Sequence, residues 1–123
     1  IIKGMPVTQN RYLVGRIVET NYLSSRVLLL NDLNSRIPVT FDEKSTQAIL
    51  TGSGTRKPTL LYLPEGYEFI EDITVFASGK DGIFNAGTPI GKTTEDGEVE
   101  LFVDPNQLSF VTVNLIKPSK EVF

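Results

Sequence analysis

The 123-residue sequence predicts an all-β fold of two small barrel-like Greek-key modules built from short antiparallel strands, and three observations predict it. Apolar residues alternate with polar ones over short runs, the two-residue period of a strand with one buried face. The runs are separated by Gly, Pro, Asn and Asp clusters that reverse a chain, and many short strands so spaced favour barrels or sandwiches. A Gly-x-Pro-aliphatic phrase occurs twice, at Gly4-Met5-Pro6-Val7 and Gly87-Thr88-Pro89-Ile90, each time followed by a polar turn and a further strand.

In chain order, the first strands are "LVGRIVET" from Leu13 and "RVLLLN" from Arg26. In "RIPVTF", Ile37, Val39 and Phe41 share one face. Pro38 has no N–H for a ladder, which places this strand at a sheet edge or a bulge. "DEKSTQAIL" from Asp42 admits one helical turn, and its β-branched and turn-forming residues argue against more. The strands "TQAILT", "TLLYL", "ITVFAS" and "TPIGKT" follow, joined through "TGSG" and "LPEG". In "EVELFV", Val99, Leu101 and Val103 point inward while Glu98, Glu100 and Phe102 point outward, and "LSFVTVNLI" from Leu108 is the last strand. This order divides the chain into a first module over residues 1–45, a second over 46–116 and a tail over 117–123. Gly4, Gly79, Gly82, Gly87 and Gly91 are the expected corners, with Pro6 and Pro89 fixing the first residues of the returning strands.

Twelve basic and fifteen acidic side chains, with no basic run, provide no footprint for a polyphosphate backbone, so nucleic acid is not an expected partner. Histidine and cysteine are absent, which removes Ser-His-Asp and Cys-His catalysis and the usual zinc and copper ligand sets. No metal, cofactor or catalytic residue is expected. The acidic pairs Glu71-Asp72, Glu95-Asp96 and Glu98/Glu100 sit in polar turns or on a wet face and read as solvated charge. "GSGTRKPT" from Gly52 misses the phosphate-loop spacing and reads as a hairpin tip. "NDLNS" from Asn31 has too few carboxylates for calcium. What remains are aromatics near turns. Tyr62, Tyr67, Phe69 and Phe84 are the candidate partner-binding residues.

Several ordered blocks resemble the rod shape-determining MreC family: "LVGRIVETNYLSSRVLLLNDLNSRIPV", then "LLYLPEG", "DITVFASGKDGIFNAGTPIG" and "VELFVDPNQLSFVTVNLI". Departures at Asn31, Leu33 and Asn85-Ala86 fall at corners and leave the strand pattern alone. The resemblance implies a bitopic protein of the bacterial inner membrane, with a transmembrane helix and a coiled coil upstream and two β modules on the periplasmic face. It also implies a non-enzymatic scaffold of cell-wall elongation, needed for rod shape. Such a scaffold docks the elongation penicillin-binding protein and other rod-system membrane proteins, and it associates with itself. The alternative is a small β-barrel hydrolase or carbohydrate-binding module acting on the cell wall. Relatives carry strands ahead of the first Gly-x-Pro phrase, so the first module is expected to present an open edge, capped by a neighbouring chain or a rearranged strand.

Overall fold

The computed structural model describes residues 3–20, 25–80, 86–104 and 112–113. They form ten strands: β1 (Pro6–Gln9), β2 (Tyr12–Thr20), β3 (Ser25–Leu29), β4 (Arg36–Phe41), β5 (Thr46–Thr51), β6 (Thr59–Leu61), β7 (Thr74–Ala77), β8 (Pro89–Thr93), β9 (Val99–Leu101) and β10 (Thr112–Val113). All described pairings are antiparallel. One sheet has four strands in the order β10-β1-β2-β3, and the other has six in the order β6-β5-β4-β7-β8-β9.

The six-stranded sheet closes on itself. A bridge between Thr59 and Glu98 joins β6 to the start of β9. Leu60 N–H donates to the Gly97 carbonyl at 3.0 Å and Val99 N–H to the Pro58 carbonyl at 2.8 Å. Strands β4, β5 and β6 form a meander, and β7 then returns beside β4, which is a Greek key. Its long connection, residues 62–73, carries Tyr62, Tyr67 and Phe69. Ile37, Val39 and Phe41 of β4 are all buried, as their alternation requires, and they meet Leu50, Val75, Ile90, Val99 and Leu101 in the barrel core. The stretch after Phe41 that admitted a helical turn is a tight reversal, with Asp42 and Ser45 at positive φ.

The other sheet stays open among the described residues and has a much smaller core of Met5, Val7, Val14 and Ile17. Val14 and Ile17 share that core although an odd spacing sends strand neighbours to opposite faces. The register slip between Val7 and Thr8 leaves Val14 unmatched and changes the parity. Strands β1 and β2 are joined by Asn10-Arg11, both at positive φ, the backbone of a two-residue hairpin whose twist matches its strands. The side chains of Leu13, within β2, and of Leu30, just after β3, insert into the barrel core.

Strand β4 pairs with β5 and β7, so the six-stranded sheet begins at Arg36, upstream of the expected division at residue 45. Local pattern cannot reveal this, because β4 has the same alternation whichever sheet it joins. Between the sheets, "NDLNS" is a locked corner: Asp32 Oδ1 accepts the Asn34 N–H at 2.8 Å, and Gly54 N–H donates to the Asn31 carbonyl at 2.8 Å. Gly52 is required there because a Cβ would collide with the Asp32 carbonyl. Strand β10, expected in the second module, pairs with β1 through Val7↔Val113 and Thr8↔Thr112. A later segment of the same chain thus covers the β1 edge. Pro38 lies in a strand flanked on both sides, not at a sheet edge. It is tolerated because regular β4–β7 pairing stops at Val39, and the Pro38 carbonyl still accepts the Ser78 N–H at 3.1 Å.

Both Gly-x-Pro phrases make the same bulge. Gly4 N–H donates to the Ile17 carbonyl at 2.6 Å while Ile17 N–H donates to the Met5 carbonyl at 2.9 Å. Gly87 N–H donates to the Ala77 carbonyl and Ala77 N–H to the Thr88 carbonyl, both at 2.9 Å. With φ of 98° and 85°, each glycine supplies the left-handed residue of a bulge in which two residues face one. Pro6 and Pro89 then open β1 and β8. The opposing residue lies on the following strand in the first case and on the preceding strand in the second. The local device repeats while the wiring around it differs. Gly79 also has positive φ, whereas Gly91 lies inside β8, where a Cβ would collide with the Glu100 carbonyl. Gly91 is therefore a close-approach glycine within a strand and not a corner. Gly82 lies outside the described residues.

Candidate docking site

The Greek-key connection is tied down from several sides. Gly66, at φ 77°, allows the "LPEG" turn, and Tyr67 N–H donates to the Pro64 carbonyl at 3.1 Å. That turn drops the Tyr67 ring edge-on to Phe41, 5.8 Å between centroids at 89°, and beside Phe69 at 5.5 Å and 75°. Both geometries suit the ring quadrupoles. The Tyr67 hydroxyl donates to Asp42 Oδ2 at 3.1 Å. Phe69 reaches Gly97, where a Cβ would sit 2.8 Å from the ring. Further along, the buried Thr93 hydroxyl donates to the Ile70 carbonyl at 2.5 Å and accepts the Ile73 N–H at 3.0 Å. One side chain of β8 thereby satisfies two backbone groups of an irregular segment.

Asp42 is the polar hub of this region. Its carboxylate also accepts N–H groups of Lys44 at 2.8 Å and Thr46 at 3.2 Å, and the Thr46 hydroxyl at 2.6 Å. Burial opposes its charge, but the bonds from Thr46, Tyr67 and Lys44 outweigh burial and hold the carboxyl below its ordinary 3.8. Burial, together with the bond to Asp42 and its charge, pushes the Tyr67 hydroxyl above its ordinary 10.0. The pair is therefore an ionised carboxylate with a neutral phenol at neutral pH.

Around this scaffold lies a groove of about 990 Å³ between the β4–β5 turn and residues 64–76. Tyr67, Ile73 and Phe76 form half-buried parts of its wall, and Ile70 projects from it 59 % exposed. Of the four candidate aromatics, Tyr67 and Phe69 are brought together as half-buried plugs of the core rim. Tyr62 stands apart from the groove lining, 76 % exposed and at φ 61°. Phe84 lies outside the described residues. Ile70 and Asp42 were not singled out from sequence. Alternation has no force in an irregular connection, although an Asp opening a turn with Thr four residues on does signal side-chain capping.

The acidic pairs Glu71-Asp72 and Glu95-Asp96 come together on the surface. The charge of Glu95, then a hydrogen bond with it, raises the Glu71 carboxyl above its ordinary 4.5. Among the described residues no group of three or more His, Cys, Asp or Glu is arranged to hold a metal ion. No helix among them is long and apolar enough to cross a membrane.

Comparison with known proteins agrees with this architecture. The family described as "Rod shape-determining protein MreC, barrel core" matches residues 1–114. The cell shape-determining protein MreC of Caulobacter vibrioides (strain NA1000 / CB15N) is 40 % identical over 121 residues, which is 95 % of this chain and 35 % of that protein. A solved MreC structure superimposes with a TM-score of 0.85 at 26 % identity, over 94 % of this chain and 72 % of the other. MreC from Pseudomonas aeruginosa superimposes with a TM-score of 0.72 at 31 % identity, over 77 % and 62 %. The chain thus spans about a third of its curated relative, and with its Greek-key barrel and packed companion sheet it belongs to the MreC family of rod shape-determining proteins.

Proposed function

We propose that this chain is the docking portion of a non-enzymatic scaffold on the periplasmic face of the bacterial inner membrane, held there by an anchor elsewhere in the full-length protein. It brings the elongation penicillin-binding protein and other rod-system membrane proteins into one assembly, where high local concentration drives wall synthesis. The observation that carries this reading is the open groove with the exposed Ile70, fixed to a closed barrel by Thr93 and Tyr67. A rigid support of this kind lowers the ordering cost of binding. Strand β3 pairs only with β2 among the described residues, and its outer side is an edge on which a second copy can add a strand.

Two measurements test the proposal. The purified chain should bind the extracytoplasmic part of the elongation penicillin-binding protein saturably, and full-length protein should restore rod shape to cells lacking their own. Absence of binding, or release of product from peptidoglycan fragments or esters by the chain alone, overturns it.

A further inference from the structure

The groove beside Tyr67 combines two features that specify its occupant. Ile70, Ile73 and Phe76 give it a stretch of apolar wall. Its charge is one-sided: Asp42, Glu43, Glu65, Glu68 and Asp72 line it against the single ammonium of Lys44. The whole chain carries a net charge of only −3, so acid is concentrated here well beyond the average of the surface. Apart from the half-buried Asp42, these carboxylates are exposed on the groove's rim. In that position they steer an incoming partner without the desolvation cost of a buried charge.

We infer that the groove takes an extended cationic polypeptide segment, with an aliphatic or aromatic side chain against Ile70 and Phe76 and lysine or arginine toward the carboxylate rim. This rests on the docking reading above and names the chemistry of the partner segment. A small ligand is less suited, because the apolar contact is an exposed side chain on an open wall and not an enclosed cavity. Anionic partners, including nucleic acid and acidic lipid headgroups, meet repulsion here. Lys44 sits among the acids as the one element that disfavours a purely polycationic partner, so the apolar contact must contribute to affinity.

The probe is a short fluorescent peptide of alternating lysine and leucine, with its glutamate-for-lysine counterpart as control, titrated against the whole chain by fluorescence anisotropy. The lysine peptide is expected to bind at least about tenfold more tightly than the glutamate peptide, with the difference shrinking as salt is raised. Combining Glu43→Lys, Glu65→Lys and Glu68→Lys should abolish that preference. Ile70→Ser should weaken the lysine peptide by roughly three- to tenfold while leaving its salt dependence intact. Circular dichroism on each variant checks that the barrel is folded. Equal binding of the two peptides, or unchanged binding by the charge-reversed variant, overturns the inference. Rod-shape restoration by the charge-reversed full-length protein separates the two levels. If the variant loses the peptide and still restores shape, the groove binds cationic segments and docking of the penicillin-binding protein uses another surface.

Discussion

The two sheets differ in how they deal with their edges. The six-stranded sheet joins its ends through Thr59 and Glu98, while the four-stranded sheet ends on β3 and β10. Closure lets every barrel strand turn one face to a common interior, and the barrel core is accordingly several times richer in residues than the core behind β1 and β2. A closed sheet also gives its loops a fixed base. That is why the irregular 62–73 connection holds a defined groove with no regular structure of its own. The open sheet borrows stability instead, by sending Leu13 and Leu30 into its neighbour.

The largest expected effect comes from emptying the better core. Ile37→Ala should lower unfolding free energy by about 3–5 kcal/mol, against roughly 2 kcal/mol for the same change at the equally buried Ile17 in the smaller core, both read from denaturant midpoints. Comparable losses would show that the barrel does not dominate. Next, Thr93→Val should cost about 1–3 kcal/mol, because the Ile73 N–H and Ile70 carbonyl lose their partner. Its distinctive sign is faster amide exchange confined to residues 70–73, with the four-stranded sheet unaffected.

The two bulges permit a finer comparison. A Cβ on Gly4 or Gly87 would meet nothing within 4 Å, so Gly4→Ala and Gly87→Ala should each cost only the left-handed backbone term of about 1–2 kcal/mol. Unequal costs would mean that the strand opposite each bulge matters as much as the bulge. The smallest effect concerns pH. Because the Asp42 carboxyl is held below 3.8 in the folded protein, its stabilising contribution is complete above pH about 4 and is lost as pH falls through the lower folded value. Asp42→Asn should lower stability at neutral pH by roughly 1 kcal/mol and flatten this acid limb, as measured by thermal melts across pH.

Much of the barrel was legible because a period of two is a local signal: Ile37, Val39 and Phe41 point inward whatever surrounds them, as do Val99 and Leu101. The Gly-x-Pro phrases were legible as reversals for the same reason. Pairing across long separations was not. Nothing near Thr112 or Val39 states that one joins β1 and the other β7. The missing N–H of Pro38 argues for a sheet edge or a bulge, whereas the end of regular pairing with β7 accommodates it equally well. For the groove, composition flagged the aromatics but could not distinguish Tyr67, turned inward onto Phe41, from Ile70, left outside.

Leu13 and Leu30 reach across the boundary between the sheets, and the Tyr12 ring packs at a tilt of 43° against Phe102 just beyond β9, 4.8 Å between centroids. A load on the early strands therefore cannot be absorbed by a slack joint. It arrives at the barrel as shear on packed side chains, so the groove beside Ile70 turns together with β1 and β2. The two sheets form a stiff bracket in which the heading of one fixes the heading of the other.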